Sequence, residues 1–263
     1  MLKFVTAILL TFISFNLQAQ TWEVGLGGGG AAYMGDLNQT NPLKFSGGAG
    51  SIFVKRNFNP YLSARLTYTY GSISAADSTS SDPLTRQRNL SFTDHLNEIS
   101  LIGEFNFMNY IAGVSHNRYT PFVYLGVATV NYNPTAIYQG TKYDLRPLQT
   151  EGESKPYPNS AISIPYGVGI KYNITGSWNL IADIGYRQPN TDYLDDVSGT
   201  YPNPAKLNSA IARALSDPSG EKTGSYIGTP GTQRGDMRSH DTYMFAQFTI
   251  SYTFVTEKCY FEQ

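Results

Sequence analysis

Six charged side chains lie on the polar face of segments in which polar and apolar residues alternate. They are Arg65, Glu98, Glu104, Lys171, Asp183 and Arg187. Carboxylates beside a cavity could act as general acid and base in an enzyme. The competing interpretation is a barrel interior in which the charges pair, because a charge removed from water must be compensated. An eight-stranded barrel is just wide enough for side chains to fill. We therefore predict a salt-bridged plug, and neither an enzyme nor a diffusion pore.

Other motifs that could carry chemistry have simpler interpretations. The three histidines, His95, His116 and His240, fall in separate predicted elements, so they do not predict a metal site. The glycines from Gly25 to Gly30 match a nucleotide-binding fingerprint, but that fingerprint requires a helix after the glycines. Here they lie inside a predicted strand. The sequence therefore predicts no cofactor and no catalytic residue.

Two short motifs contain residues that could bind a ligand. Asp192, Asp195 and Asp196 could offer oxygens to calcium, but their spacing does not fit an EF-hand loop. Hydrogen bonding within the loop is the favoured interpretation. The tripeptide Arg234-Gly235-Asp236 occurs in cell-adhesion ligands, yet a match of three residues arises easily by chance. Neither motif predicts a site.

Cys259 is the single cysteine of the chain. In an exported protein an unpaired cysteine indicates either an intermolecular disulfide or a free thiol. Because Cys259 lies close to the C-terminus, an inert thiol in a frayed tail is an equal alternative. The sequence leaves both interpretations open.

The composition indicates a barrel with a lipid-facing exterior. Of 263 residues, 15% are charged, while 25 are Gly, 20 Tyr and 14 Phe. Lys and Arg total 19 against 20 for Asp and Glu, so no basic field exists to bind nucleic acid. Lys3, an apolar run and Ala19 form a secretory signal pattern. We predict a signal peptide over 1–19 and a single domain over 20–263.

Strand-like alternation recurs in eight segments. Five are clearly alternating, and three that are rich in Gly or apolar on both faces have an uncertain register. The eight predicted strands cover residues 22–33, 46–56, 61–74, 98–107, 119–132, 162–172, 178–187 and 244–254. The fold class predicted is an all-β, eight-stranded antiparallel transmembrane barrel.

Loop lengths alternate as they do in outer-membrane barrels, which have short periplasmic turns and long external loops. The short turns are 57–60, 108–118 and 174–177; the last long loop, 189–240, contains a predicted short helix over 204–215. An even strand number then places both termini in the periplasm. An aromatic girdle is predicted at that end, formed by Trp22, Phe58, Tyr61, Phe107, Tyr110, Tyr119, Tyr172, Trp178, Tyr252 and Phe254.

Two loop motifs carry a resemblance to a known family. They are Tyr33-Met34-Gly35-Asp36-Leu37-Asn38 after the first strand, and Asp192-Tyr193-Leu194-Asp195-Asp196-Val197-Ser198 after the seventh. With the ending that includes Cys259, they resemble the PorG-like outer-membrane barrels of Bacteroidota, grouped with the domain family of unknown function numbered 6089. The resemblance covers essentially the whole mature chain.

The resemblance implies a role in type IX protein secretion. PorG-like barrels work with a periplasmic ring built from the PorK lipoprotein and PorN, so the implied role is an anchor that ties this ring to the outer membrane. Cys259 would then face the ring subunits. Two alternatives remain: a small barrel that binds ligands at the surface, and, less favoured, a barrel enzyme that modifies lipid or peptide.

Overall fold

The computed structural model describes residues 21–254, which form a closed antiparallel β-barrel of eight long strands, as predicted. The first and last strands pair with each other, with Trp22 opposite Phe254, and the third strand pairs with the fourth to complete the ring. The barrel strands are β1 (Thr21–Met34), β2 (Phe45–Asn57), β3 (Leu62–Ala76), β4 (Ser91–Asn106), β5 (Tyr119–Asn131), β8 (Ser160–Thr175), β9 (Trp178–Pro189) and β10 (Thr242–Phe254).

Alternation along each strand separates an apolar exterior from a polar interior. On β3, Ser63, Arg65, Thr67 and Thr69 are buried, while Leu62, Leu66, Tyr68 and Tyr70 are exposed on the outside. The exposed rows continue on β4, β5 and β8 with Ile, Leu and Val side chains. An exterior of this kind is stable against hydrocarbon and unfavourable in water. No helix among the described residues is long and apolar enough to cross a membrane.

The three short connections lie at the barrel end where the described chain begins and finishes, which we call the short-turn end. They are Phe58–Tyr61 between β2 and β3, residues 107–118 between β4 and β5, and Gly176–Ser177 between β8 and β9. Nine of the ten girdle aromatics are at least partly exposed there. Tyr110 was wrongly assigned to the girdle: it is 9% exposed because its turn folds inward under the barrel.

The four long connections cover the opposite end and form what we call the cap: residues 35–44, 77–90, 132–159 and 190–241. Their helices are α1 (Pro83–Arg88), α2 (Ala210–Ser216) and α3 (Ser219–Thr223), with single 3₁₀ turns elsewhere. The Asp82 side chain caps α1 by accepting from the backbone N–H groups of Leu84 and Thr85. Ser209 caps α2 in the same way through the Ala212 N–H.

The predicted helix over 204–215 is shorter in the structure and begins later. Residues Pro204–Lys206 make a 3₁₀ turn, and only Ala210–Ser216 is α-helical, because the Ser209 cap starts a new helix. A hairpin of β6 (Thr135–Tyr138) and β7 (Thr141–Asp144), which falls in a predicted loop, extends the sheet beside β4. Its strands are four residues long, too short for a clear alternation.

A buried apolar cluster joins the cap to the barrel. Tyr33 and Phe92 meet edge to face at the top of the barrel interior, with ring centroids 4.9 Å apart. The same cluster includes Leu194 and Leu215 from the last long loop. Met244 follows the outward parity of β10 but is only 1% exposed. The cap is therefore packed onto the barrel as part of one core.

Candidate functional site

The interior of the barrel holds an ion-pair network centred on Glu104. Lys171 Nζ lies 2.6 Å from Glu104 Oε2, and Arg65 Nε lies 3.0 Å from Glu104 Oε1. Lys55 Nζ is 3.6 Å from Oε2 and forms a second pair, at 2.8 Å, with Glu23. The five residues lie on β1, β2, β3, β4 and β8, which are not all neighbours in the sheet, so the network crosses the barrel interior.

A second group of charges lies between this network and the cap. Arg187 Nε is 3.4 Å from Glu98 Oε2, and the Tyr243 hydroxyl donates to the same oxygen at 2.6 Å. Asp183 accepts a hydrogen bond of 3.2 Å from Tyr124. The structure thus places all six charges singled out from the sequence in the interior. Each of them has a partner.

Glu23 and Lys55 were not singled out from the sequence, although they belong to the same network. They are directly opposite each other on β1 and β2. Both strands are rich in glycine, so their alternation did not establish which residues face inward. A usable signal was present: a charge in an otherwise apolar barrel strand must face the interior, because the exterior is apolar.

Polar side chains close the barrel interior at the short-turn end. The Tyr110 hydroxyl donates to Asn179 Oδ1 at 2.7 Å, and Asn179 Nδ2 donates to Thr253 Oγ1 at 3.0 Å. Ala112, on the same inward-folded turn as Tyr110, is 4% exposed. With the cap above and this turn below, the interior is covered at both ends.

The two loop motifs that carry the family resemblance meet in the cap. The Tyr33 hydroxyl donates to Asp195, and its oxygen lies 3.3 Å from Asp241 Oδ1. Asp241 Oδ2 accepts from the Leu194 N–H at 3.0 Å. A Cβ atom added to Gly35 would lie 1.9 Å from Asp241 Oδ1, so the close approach at this position requires glycine.

Asp36 and Asp192 complete this cluster of carboxylates. Asp36 Oδ1 accepts from the Asp236 N–H, and Asp192 Oδ2 accepts from the Ser198 hydroxyl at 2.9 Å. Burial raises the pKa of Asp36 to about 7 and that of Asp192 to about 6. Burial also raises the pKa of Asp195 and of Asp241 well above the usual range. The ionised cluster is therefore unfavourable without a compensating charge.

Two arginines tie the cap segments together. Arg88 makes a bidentate pair with Asp77 at 2.7 and 2.8 Å and donates to the Asp36 carbonyl at 3.0 Å. Arg234 is 2% exposed and lies 3.0 Å from Glu151. It also donates to the carbonyls of Asp196 and Ser216. A planar guanidinium can serve all these acceptors at once.

Asp196 belongs to the second motif, but its hydrogen-bond partners differ from those of the carboxylates around Tyr33. Its carboxylate accepts from the Thr150 hydroxyl at 2.5 Å and from the Tyr157 hydroxyl at 2.7 Å. Burial raises the pKa of Asp196 to about 7, and the nearby Arg234 opposes the rise. Tyr193 stacks on Tyr157 with ring centroids 4.4 Å apart. The motif thus binds the third long loop to the fourth.

We expect Arg234→Lys to loosen the cap while the barrel stays folded. A lysine cannot reproduce the planar contacts to Glu151, Asp196 and Ser216, and the loss of a charge-assisted hydrogen bond costs about 1.5–3 kcal/mol. Limited proteolysis of the protein in detergent micelles should cut residues 190–241 at least about tenfold faster. Arg238→Lys is the matched control, because Arg238 is 54% exposed. Equal cutting rates for both variants would contradict the role given to Arg234.

Cys259 and the signal-peptide region 1–19 lie outside the described residues. The calcium interpretation of Asp192, Asp195 and Asp196 as one set does not match the geometry, because Asp196 is engaged elsewhere. Asp192 and Asp195 instead lie with Asp36 and Asp241, residues far away in the sequence. The sequence alone could not bring these four together.

Comparisons with known proteins identify a family. Residues 2–213 match the family described as "Domain of unknown function (DUF6089)". A search of curated protein sequences gives no match. Among solved structures, a major outer membrane protein from Thermus thermophilus is 14% identical, with 90% of this chain and 100% of that one covered and a TM-score of 0.43.

Two further solved barrels are similar at the same level. Neisserial surface protein A is 12% identical over 89% of this chain and 97% of that chain, with a TM-score of 0.43. The N-terminal barrel domain of OprF from Pseudomonas aeruginosa is 13% identical over 88% and 97%, with a TM-score of 0.38.

Proposed function

The chain belongs to the DUF6089 family, and from this premise we propose that it is an outer-membrane component of the type IX secretion machine. In this proposal it anchors a periplasmic ring of PorK-like lipoprotein and PorN-like subunits to the membrane. The resemblance of its two loop motifs to PorG-like barrels supports the assignment to this secretion machine, and the barrel geometry supports an anchoring role within it.

The filled interior is the observation that carries an anchoring role. Glu104 alone engages Lys55, Arg65 and Lys171 across the barrel, and the Tyr110 turn covers the short-turn end. An eight-stranded barrel has no room for a passage beside such side chains. A protein of this shape serves a secretion machine as an attachment point and not as its conduit.

The arrangement of the chain ends supports attachment on one side of the membrane. Thr21 and Phe254 both lie at the short-turn end, opposite the cap. In outer-membrane barrels the short turns face the periplasm and the long loops face outward. We propose the same orientation here, with both termini in the periplasm. The ring would then contact the three short turns and residues 255–263.

A deletion strain and affinity purification test the proposal together. Loss of the protein should abolish surface export of type IX cargo, and the tagged protein should co-purify with PorK-like and PorN-like subunits. Trimming residues 225–231 of the cap should leave both results unchanged, whereas removal of residues 255–263 should weaken co-purification. Normal export in the deletion strain, with neither ring subunit in the eluate, would overturn the assignment.

Cys259 offers a separate test of where the ring binds. If the tail contacts a ring subunit, the lone thiol is expected to form an intermolecular disulfide in the oxidising periplasm. Non-reducing gels of isolated envelopes should then show an adduct that disappears with reductant and in a Cys259→Ser strain. An inert thiol predicts identical gels for both strains, which would remove the cross-link but not the anchor.

A surface-binding barrel is the second candidate, and the cap gives it specific support. Leu84, Tyr226, Ile227 and Met237 are exposed large apolar side chains on the cap. Under this function, removing the exposed cap residues abolishes ligand binding and spares export.

A barrel enzyme is disfavoured, because the interior carboxylates Glu98, Glu104 and Asp183 each have a partner. We therefore propose a protein without catalytic activity.

A further inference from the structure

Three carboxylates of the cap lie close enough to bind one cation. One oxygen from each of Asp36, Asp192 and Asp241 lies within 4.8 Å of the other two. Two oxygens bound to the same Ca²⁺ at about 2.3–2.6 Å can be at most about 5 Å apart. Asp36 and Asp241 are buried, at 2% and 0% exposure, and Asp192 is half-buried. The oxygens converge inside the cap and not on an open surface.

An unsatisfied oxygen provides a second and independent observation. Asp36 Oδ1 accepts from the Asp236 N–H, whereas Asp36 Oδ2 is buried and has no hydrogen-bond partner in the structure. A buried carboxylate oxygen without a partner costs free energy that native structures rarely leave unrecovered. Because Asp36 belongs to the cluster of carboxylates, this unpaired oxygen is available to a cation, which needs no hydrogen-bond donor.

No basic side chain among the described residues supplies that charge by direct contact. Among residues 21–254, no ion pair within 4 Å involves Asp36, Asp192, Asp195 or Asp241. The basic side chains nearby have other partners: Arg88 pairs with Asp77, Arg234 with Glu151, and Arg238 with Asp236. His240 Nδ1 lies 2.8 Å from the Ser239 hydroxyl. The carboxylates thus face one another without a basic side chain in contact, and Arg88 and His240 lower the pKa of Asp36 and of Asp192 only from a longer distance.

We propose that Asp36, Asp192 and Asp241 bind a calcium ion that fastens the cap to the barrel. Carboxylate oxygens are the ligands that Ca²⁺ prefers, and its variable coordination suits an irregular loop site. Tyr33 and Asp195 form the surrounding layer, since the Tyr33 hydroxyl contacts both Asp195 and Asp241 and orients them.

The position of this site gives the ion a structural role. Asp36 follows β1, Asp192 follows β9, and Asp241 immediately precedes β10. Bound calcium therefore joins three chain segments at the seam where the first and last strands of the barrel pair. The site is also independent of the proposed secretion role, because it depends only on the geometry of the cap.

Calcium titration of the full-length mature protein in detergent micelles, after treatment with a chelator, tests the proposal. Calorimetry should show one Ca²⁺ equivalent bound by the wild-type protein. Asp36→Asn and Asp192→Asn should each weaken the Ca²⁺ affinity at least about tenfold. Asp82→Asn is the matched control: it makes the same chemical change in the same cap, and Asn remains a good helix cap. Its affinity should equal that of wild type.

Proteolysis of the cap distinguishes a lost ligand from a misfolded variant. In chelator, Asp36→Asn should be cut more slowly than wild type, because one of the repelling charges is gone. In millimolar Ca²⁺ the order should reverse, because only wild type gains the ion. No binding by wild type in millimolar Ca²⁺, or equal binding by all four proteins, would overturn the proposal. So would variants that are cut faster than wild type in both conditions.

Discussion

Glu104→Gln is expected to lower the free energy of unfolding by about 3–5 kcal/mol, the largest effect of any single charge change in the barrel. Glu104 is 2% exposed and compensates Lys55, Arg65 and Lys171 together. Its removal leaves three buried cations with one remaining acidic partner in the network, Glu23. Urea unfolding of the purified protein in lipid vesicles, followed by tryptophan fluorescence, measures the change.

Glu221→Gln is the control for Glu104→Gln, because Glu221 is exposed on the cap. Its unfolding free energy should stay within about 0.5 kcal/mol of wild type. A double variant, Glu104→Gln with Lys171→Met, should recover part of the loss, since it removes one of the unpaired cations. If Glu104→Gln unfolded at the wild-type urea concentration, the interior would not depend on this ion-pair network.

Gly29→Val is expected to prevent the barrel from closing. A Cβ atom at Gly29 would lie 1.9 Å from the Ala246 carbonyl oxygen, on the strand that pairs with β1. A backbone carbonyl within a sheet cannot rotate away, so β1 and β10 must separate. We expect a loss of about 3 kcal/mol or more, at the upper end for overpacked sites. The folded band of the unheated protein on SDS gels should be weak or absent.

The neighbouring glycine provides the control for Gly29→Val. At Gly28 the nearest atom to an added Cβ is the Ala49 carbonyl oxygen at 3.8 Å, an ordinary contact. Gly28→Val should therefore fold and keep its heat-modifiable mobility. The two substitutions share the same chemistry and the same strand. If both variants folded equally well, the close approach at Gly29 would not limit closure.

The strands could be predicted from the sequence because lipid and interior impose opposite demands on successive residues. On β3, Leu62, Arg65 and Leu66 face the directions that their chemistry requires. The same rule fails where the environment changes along a strand. Met244 has an outward parity but is only 1% exposed, and Tyr110 turns inward because Asn179 offers it a hydrogen bond.

The carboxylate cluster lay beyond sequence reasoning for a different reason. Asp36 and Asp241 are about 200 residues apart, and only the closing pair of strands brings them together. Alternation assigns a residue to a face but does not say which residues of other strands lie beside it. The partners of Glu104 were hidden in the same way, since Lys55 and Lys171 come from strands on either side of it.

The pairing of Trp22 with Phe254 also bears on the order of assembly. Joining the two ends of a chain costs more loop entropy than forming any hairpin between consecutive strands, so the seam closes last. Before that step the consecutive strands β2, β3 and β4 already bring Lys55 and Arg65 to Glu104. Two other buried acids gain a hydrogen bond only when β10 is in place. Ser251 donates to Glu23 at 2.6 Å and Tyr243 donates to Glu98 at 2.6 Å. Barrel closure therefore gives these buried acids their remaining hydrogen bonds. The sheet with an open seam is for that reason unfavourable in free energy, and the final step is all-or-none.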